Sequence, residues 1–189
     1  ENKQVSIKFG PSVGIKVRTL DTLLQNTLNN HTVLSTYGKV SLGDDASPIA
    51  RIYSWIRDHV HGVMKMDNGN ILAQMRDISV DERRKKFYMQ MLKKADFNIS
   101  DFHILSDGHN ETVAFVNTTD KDNFELPSAT QSSGTLRYIA DLRYLYDAIT
   151  GSHVFMLDEL GEDLHYDLLL YYINVFLYNS DRSQLIFTS

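Results

Sequence analysis

Apolar residues in the first third of the chain follow two spacings, which predict different elements. Over residues 5–17 they alternate with polar residues, interrupted by Gly and Pro at 10–11, and this pattern predicts a β-hairpin. From residue 48 they recur every three or four positions, which predicts a helix over 48–60. Ser47 is suited to cap this helix, and Pro48 to occupy its first position.

The middle of the chain predicts a turn, a helix and three strands. The Asp-Asn-Gly-Asn segment at 67–70 is typical of a turn. A second helix is predicted over 80–95 by an apolar stripe that consists of Phe87, Met91, Leu92 and Ala95. Short apolar runs, separated by turn-forming segments at 107–110 and 120–123, predict strands over 102–105, 112–117 and 124–126.

In the last 60 residues, helical stripes alternate with short runs that are apolar on both faces. The predicted elements are a helix from Ser132–Thr135 to Gly151, a strand over 154–157, a helix over 163–179 and a strand over 184–188. This alternation predicts an α/β unit with a parallel sheet covered on both faces. We therefore divide the chain into a lobe of strands and helices, 1–130, and an α/β unit, 131–189.

Composition excludes several classes of protein. The chain of 189 residues is 42% hydrophobic and 11% aromatic, which is enough to bury a core and excludes a disordered chain. It has no cysteine, which excludes a disulfide scaffold and a thiolate metal site. No apolar run approaches the length of a membrane helix, so we expect a cytoplasmic protein with no membrane partner. Because the chain lacks an initiator Met and stops on an apolar run, we expect it to be part of a larger protein.

Charge is unevenly distributed along the chain. Residues 1–94 carry 15 Lys and Arg against 9 Asp and Glu, whereas residues 95–189 carry 4 against 15. A basic half can attract phosphate backbones, and an acidic half can hold a divalent cation; either can also be ordinary solvated surface. The same two interpretations apply to the basic run Arg83–Lys86, which is a solvated helix face or a contact surface for nucleic acid.

Two carboxylates follow directly on the predicted strand 154–157. Asp158 and Glu159 would lie at the carboxyl end of a parallel strand, where open α/β sheets bind their ligands. One carboxylate can hold Mg²⁺ through oxygen and water ligands, and the other can orient or deprotonate an attacking water. The alternative is a strand that ends in a solvated acidic turn.

A second candidate site opens the helix that precedes this strand. Ser132, Ser133, Gly134 and Thr135 combine small hydroxyl side chains with a glycine at a helix start, where free N–H groups favour anions. The alternative is an ordinary helix cap.

The order and spacing of these motifs resemble the C-terminal half of ABC-type ATPases, which are P-loop NTPases. Within them the chain is most similar to the OLD/RecF-like branch, AAA-annotated bacterial proteins tied to abortive infection. The matching residues are Gln131–Thr135 for the signature, Asp158–Leu160 for the Walker B end, and Leu164–His165 in the following loop. The resemblance covers about 131–188, and the preceding helices fit the family's inserted lobe only loosely.

The resemblance implies a role for each site residue. Asp158 would be the Walker B acid on Mg²⁺, and Glu159 the catalytic base of ATP hydrolysis. The signature residues Ser132, Ser133, Gly134 and Thr135 would bind ATP held by the opposite subunit of a head-to-tail homodimer. His165 would lie near the dimer seam or be a packing residue. The resemblance also implies anti-phage defence, with DNA, RNA or a nuclease as the downstream partner.

The chain departs from the family pattern at two points. Gln131 replaces the acid that usually opens the signature, and no Gly-x-x-x-x-Gly-Lys-Ser/Thr phosphate loop occurs in the 189 residues. Either that loop lies upstream, so that this chain alone is inactive, or the chain is a degenerate half that assists a partner. Two other functions remain open, a non-catalytic module that binds nucleic acid or protein, and a RecF- or SMC-like DNA-repair ATPase. A metal site at His59 and His61 is disfavoured, because residues two apart on a helix point to different sides.

Overall fold

The computed structural model describes residues 6–10, 14–28, 30–40, 47–62, 68–95, 97–119 and 122–189, with the backbone alone at 68–70. The chain forms two compact units, Glu1–Val60 and His61–Ser189. In the described parts of the chain, no helix combines the length and the apolar character that crossing a membrane requires.

The described residues of the first unit form three helices: α1 (Val17–Asn26), α2 (Val33–Lys39) and α3 (Pro48–His59). The prediction of α3 is confirmed, since Ser47 accepts a hydrogen bond from the N–H of Ala50 and Pro48 opens the helix. The predicted hairpin is wrong, because residues 6–10 and 14–16 form no strand and Val17 begins a helix. Residues 5 and 11–13 of that prediction lie outside the described residues. The alternation was misleading, since Val17 is 75% exposed and does not face a core.

The second unit contains most of the regular structure. Its elements are β1 (Val60–Gly62, which starts at the last residue of the first unit), α4 (Asn68–Ser79), α5 (Glu82–Lys94), β2 (Ile99–Ser106), β3 (Glu111–Thr118), β4 (Asn123–Pro127), a 3-10 turn (Ser128–Thr130), α6 (Ser133–Thr150), β5 (Val154–Leu157), α7 (Tyr166–Asn179) and β6 (Gln184–Phe187). The predicted helix over 80–95 and the four elements predicted after residue 131 are confirmed, with small differences at their ends.

Helix α4 replaces the turn that we predict at 67–70. Residues 68–70 form its first turn, and Asp67 lies outside the described residues. Ile71, Met75 and Ile78 recur at helical spacing and are buried in the core. Burial of this apolar face stabilises a helix that starts earlier than the local turn preference indicates.

Strands β2, β3 and β4 form an antiparallel sheet in that order, which confirms the three predicted strands. The central strand β3 buries Val113, Ala114 and Phe115 in succession, so both of its faces are covered there. Its register with β2 shifts between Ile99 and Asp101. Residues 120 and 121 of the turn predicted between β3 and β4 lie outside the described residues.

Strands β5 and β6 are parallel, and the sheet has the order β1-β5-β6, so the second unit is of the α/β class. Phe155 and Leu157 of β5 are buried in the core that the helices form. Met156 and Ile186, which are paired in the β5–β6 register, are 52% and 54% exposed on the other face. The predicted cover on both faces of this sheet is therefore wrong for the described part of the chain.

Polar side chains connect the helices inside the core. The amide of Gln74 in α4 donates to the hydroxyl of Tyr88 in α5, at 2.8 Å, and to the carbonyl of Ile139 in α6, at 3.0 Å. The hydroxyl of Tyr172 in α7 donates to the carbonyl of Asp141 in α6. These bonds satisfy buried polar groups and fix the helices relative to one another. The boundary that we predict between residues 130 and 131 lies within the second unit. The division into a preceding lobe and a portion that carries the motifs stays a prediction.

Candidate functional site

The two candidate carboxylates lie in a turn between β5 and α7, which we call the acidic turn (Asp158–His165). Asp158 and Glu159 directly follow β5, and both are exposed. Glu159 and Asp163 have φ values of 53° and 66°, and Gly161 has a φ of 95°. Left-handed backbone is costly for residues other than glycine, so hydrogen bonds must offset that cost. Two of these bonds lie within the turn, from the N–H of Glu162 to the carbonyl of Glu159 and from the N–H of Leu164 to the carbonyl of Gly161, and others come from outside it.

Thr188, the residue directly after β6, makes several of the contacts from outside the turn. Its hydroxyl donates to the carboxylate of Asp158 at 2.6 Å and accepts from the N–H of Glu159 at 2.8 Å. Its carbonyl accepts from the N–H of Leu160 at 2.8 Å, and its N–H donates to the carbonyl of Leu157. Thr188 therefore positions the Asp158 carboxylate and the backbone of Glu159. Our sequence reasoning missed it, although in parallel strands the residue after β6 lies beside the residue after β5.

The second candidate site, the signature turn Ser132–Thr135, forms the start of α6. The Ser132 hydroxyl accepts from the N–H of Thr135 at 3.0 Å and bonds the Thr135 hydroxyl at 2.8 Å. Ser132 is thus a helix cap, as our alternative interpretation proposes, and Thr135 is buried with its hydroxyl engaged. Ser133 is exposed. The first intrahelical bond runs from Leu136 to Ser132, so the N–H groups of Ser133 and Gly134 lie ahead of it.

Gly134 brings the signature turn into contact with the acidic turn. A Cβ atom at residue 134 would lie 2.6 Å from the backbone carbonyl oxygen of Asp163. Only glycine permits this approach of the two backbones. The structure therefore unites the two motifs that we identify separately in the sequence, and it gives the glycine a packing role within its own chain.

Arg137 joins the same two segments one helical turn further along α6. Its guanidinium donates to the carbonyl of Glu159 at 3.4 Å and pairs with Glu162 at 3.7 Å. It also donates to Asp141 at 3.1 Å, four residues along the helix. The Asp141 side chain is only 3% exposed, and burial raises its pKa although Arg137 opposes that effect. Our sequence reasoning missed Arg137. The available signal was the oppositely charged pair Arg137 and Asp141, four residues apart in a helix with a long apolar stripe.

Among the described residues, no group of three His, Asp or Glu side chains could hold a metal ion as a cage. A single exposed carboxylate at Asp158 still fits Mg²⁺, which keeps most of its waters and takes one or two carboxylates together with substrate phosphates. His165 is exposed and caps α7 by accepting from the N–H of Asp167. His61 lies in β1 and bonds the ring of His153 at 3.1 Å.

No family model matches this chain, and no curated protein matches it either. The resemblance to ABC-type ATPases therefore stays a prediction that rests on the motif residues. The structure adds that the signature turn and the acidic turn are in contact, a relation that spacing along the chain could not reveal.

Proposed function

We propose that this chain supplies the Walker B and signature portions of a Mg²⁺-dependent ATP-hydrolysing site of the OLD/RecF-like ABC type. The observation that carries the proposal is the contact of Gly134 with Asp163, which joins the signature turn to the acidic turn. In a head-to-tail dimer, each ATP would lie between the acidic turn of one copy and the signature turn of the other. Joining both turns within one copy would couple the two nucleotide sites.

Asp158 would hold Mg²⁺, whose positive charge would offset charge on the β- and γ-phosphates when the ion is bound. The hydrogen bond from Thr188 occupies one oxygen of this carboxylate and fixes its orientation. Since the carboxylate is exposed, its other oxygen is accessible to a hydrated cation. Magnesium needs no further protein ligand in such a site.

Glu159 would act as the base that orients and deprotonates the attacking water. Its backbone is held by Thr188 at the N–H and by Arg137 at the carbonyl. Its exposed side chain leaves room for water beside it. A positioned general base contributes about 10²- to 10⁴-fold to a rate.

The start of α6 would contact the γ-phosphate of ATP bound to the opposite copy. The N–H groups of Ser133 and Gly134 and the positive end of the helix dipole favour an anion there. The Ser132 hydroxyl is engaged in the cap, so its role would be to shape this turn, with the buried Thr135 as its partner. The phosphate loop would come from outside these 189 residues.

The same proposal extends to the biological setting. A homodimer in the bacterial cytoplasm, acting in anti-phage or abortive-infection defence on a nucleic acid or through a nuclease, is what the family resemblance suggests. Support for this setting is confined to the motif residues.

ATP turnover tests the catalytic role in the polypeptide that carries this chain together with its phosphate loop. Glu159→Gln should lower the hydrolysis rate by about 10²-fold or more while Mg·ATP binding persists. Asp181→Asn, which changes an exposed acid before β6, is the matched control and should leave the rate unchanged. Unchanged turnover in Glu159→Gln would show that the base is assigned wrongly.

ATP-induced dimerisation tests the signature role separately. Ser133→Glu places a carboxylate at the first turn of α6, where an acid is favourable to the helix but repels a phosphate. The variant should fold normally and fail to dimerise with ATP in sedimentation experiments. Ser133→Gln has a similar size without the charge and should retain dimerisation. Dimerisation of both variants would refute the contact across the two copies.

A further inference from the structure

An open groove runs along the exposed side of α5, between this helix and β2. It has two adjoining compartments of about 470 and 600 Å³, and Lys86, Met89 and Ser100 line both of them. Helix α5 forms one wall. The other wall is formed by β2 and by the end of β3 at Thr118 and Thr119. The groove lies entirely within the second unit and does not involve the acidic turn or the signature turn.

Cationic side chains line the helical wall of the groove. Arg83, Lys86 and Lys93 are exposed and lie on one face of α5, together with Gln90. At a rise of about 1.5 Å per residue, these cations extend over roughly 15 Å. In the described parts of the chain, none of the three has an ion-pair partner.

The other two cations of the basic run Arg83–Lys86 are engaged elsewhere. Arg84 pairs with Asp147 and stacks over the ring of Tyr146. Lys85 pairs with Asp101 at 2.7 Å, and this pairing lowers the pKa of the Asp101 carboxyl against the opposing effect of burial. The run is therefore not a uniform solvated face. Two of its charges stabilise the fold, and two are directed to the groove.

The described residues of the wall opposite α5 are mainly uncharged polar groups, and the carboxylate among them, Asp101, is paired with Lys85. Ser100 and Thr118 form a hydroxyl pair at 2.8 Å, and Asn98 and Thr119 extend the polar wall. Of the described residues that line the larger compartment, none is a carboxylate. In the smaller compartment Asp101 is paired with Lys85, which leaves Glu82 as the other acid among the described lining residues.

We propose that this groove binds a single strand of nucleic acid through its phosphates. A row of cations along one wall matches a row of phosphates, and hydroxyl and amide groups on the other wall can bond sugars or exposed base edges. Because no aromatic side chain lines the described groove, binding would rest on the backbone rather than on stacking. The acidic remainder of residues 95–189 would repel the strand elsewhere and confine it to α5.

Salt dependence of binding measures how many phosphates the groove neutralises. Binding is measured by fluorescence anisotropy of a labelled 20-nucleotide single strand. A plot of the logarithm of the binding constant against the logarithm of the salt concentration should have a slope near −2, because each of the three phosphate contacts contributes about 0.7. Lys93→Glu should reduce the magnitude of this slope by about 0.7 or more and weaken binding by about fivefold or more at 0.1 M salt.

Lys94→Glu is the matched control. Lys94 neighbours Lys93 in the last turn of α5 and is also exposed, but it is not among the residues that line the groove. Both variants change the net charge and the helix end alike, so circular dichroism should show the same fold, and Lys94→Glu should bind within twofold of the wild type. Equal weakening by the two variants would overturn the proposal.

Three further outcomes would also overturn it: tighter binding of a duplex of the same length, equal competition by poly-glutamate, and absence of measurable binding at 0.05 M salt. Glu159→Gln should bind the strand as the wild type does, because the groove does not depend on the proposed nucleotide chemistry. A failure of one proposal can therefore be told apart from a failure of the other.

Discussion

Gly134→Ala tests whether the glycine of the signature turn is required by the chain itself. The added Cβ atom would lie 2.6 Å from the carbonyl oxygen of Asp163, which is backbone and cannot rotate away. Either α6 or the acidic turn must therefore move. The displaced turn contains Asp163 and Glu159, both already in left-handed conformations.

The net change in stability is the difference between a gain in helix propensity and the cost of fitting an extra carbon. Alanine is favoured over glycine inside a helix by up to about 1 kcal/mol, and less at the second position of α6. Forcing an extra carbon into a filled site costs about 1–3 kcal/mol. We expect Gly134→Ala to lower the free energy of unfolding of the second unit by about 1–2 kcal/mol.

Urea unfolding followed by far-ultraviolet circular dichroism measures this change, and hydrogen exchange in α6 and the acidic turn localises it. Ser133→Ala is the control, because Ser133 is exposed one residue earlier and its truncation should change the stability by no more than about 0.5 kcal/mol. If Gly134→Ala proves as stable as the wild type or more so, the backbone contact does not constrain residue 134.

Three further outcomes follow from the same region. Ser132→Ala removes the cap of α6 and should lower the stability by about 1 kcal/mol in urea unfolding, with Ser132→Gly losing less. Burial raises the pKa of the Asp141 carboxyl above its ordinary value of 3.8. The stability that the protonated carboxyl contributes is therefore complete below pH 3.8 and is lost as the pH rises through the raised pKa of the folded protein. Asp141→Asn should consequently gain stability relative to the wild type as the pH rises above 3.8. Unfolding at pH 4 and pH 7 checks this, and a constant difference between the two proteins would contradict it. Thr188→Val removes the hydrogen bond to Asp158; under the proposed function it should lower ATP turnover when a phosphate loop is supplied, whereas Thr188→Ser should retain it.

Elements with long, regular apolar patterns could be predicted from the sequence. Helix α6 and strand β5 carry enough buried apolar residues for local pattern and tertiary packing to agree. The predictions failed where the signal was short and local. The turn preference at 68–70 yields to the buried stripe of α4. The alternation before Val17 leads to no strand in residues 6–10 and 14–16, because an alternating pattern without burial does not hold a strand, and Val17 itself is exposed at the start of α1.

The motif residues of the candidate site could be predicted from the sequence, but their surroundings could not. The positions of Asp158 and Glu159 after a buried strand follow from local pattern. The roles of Thr188 and Arg137 depend on which strands pair and which helix lies beside the acidic turn. Such long-range relations have no signal in the order of residues along the chain.

Groups outside the acidic turn reinforce the conformation that its own backbone hydrogen bonds begin. Its left-handed residues are costly, and further contacts come from Thr188 after β6 and from Gly134 and Arg137 in α6. Arg137 is in turn fixed by a buried Asp141, whose carboxylate would be costly without it. A shift of the α6 start must therefore move the carbonyl of Glu159 as well. Since Arg137 spans both segments, Arg137→Gln should increase hydrogen exchange in the acidic turn more than in the distant β2–β3 sheet; equal increases in both would show that the arginine acts on the fold as a whole.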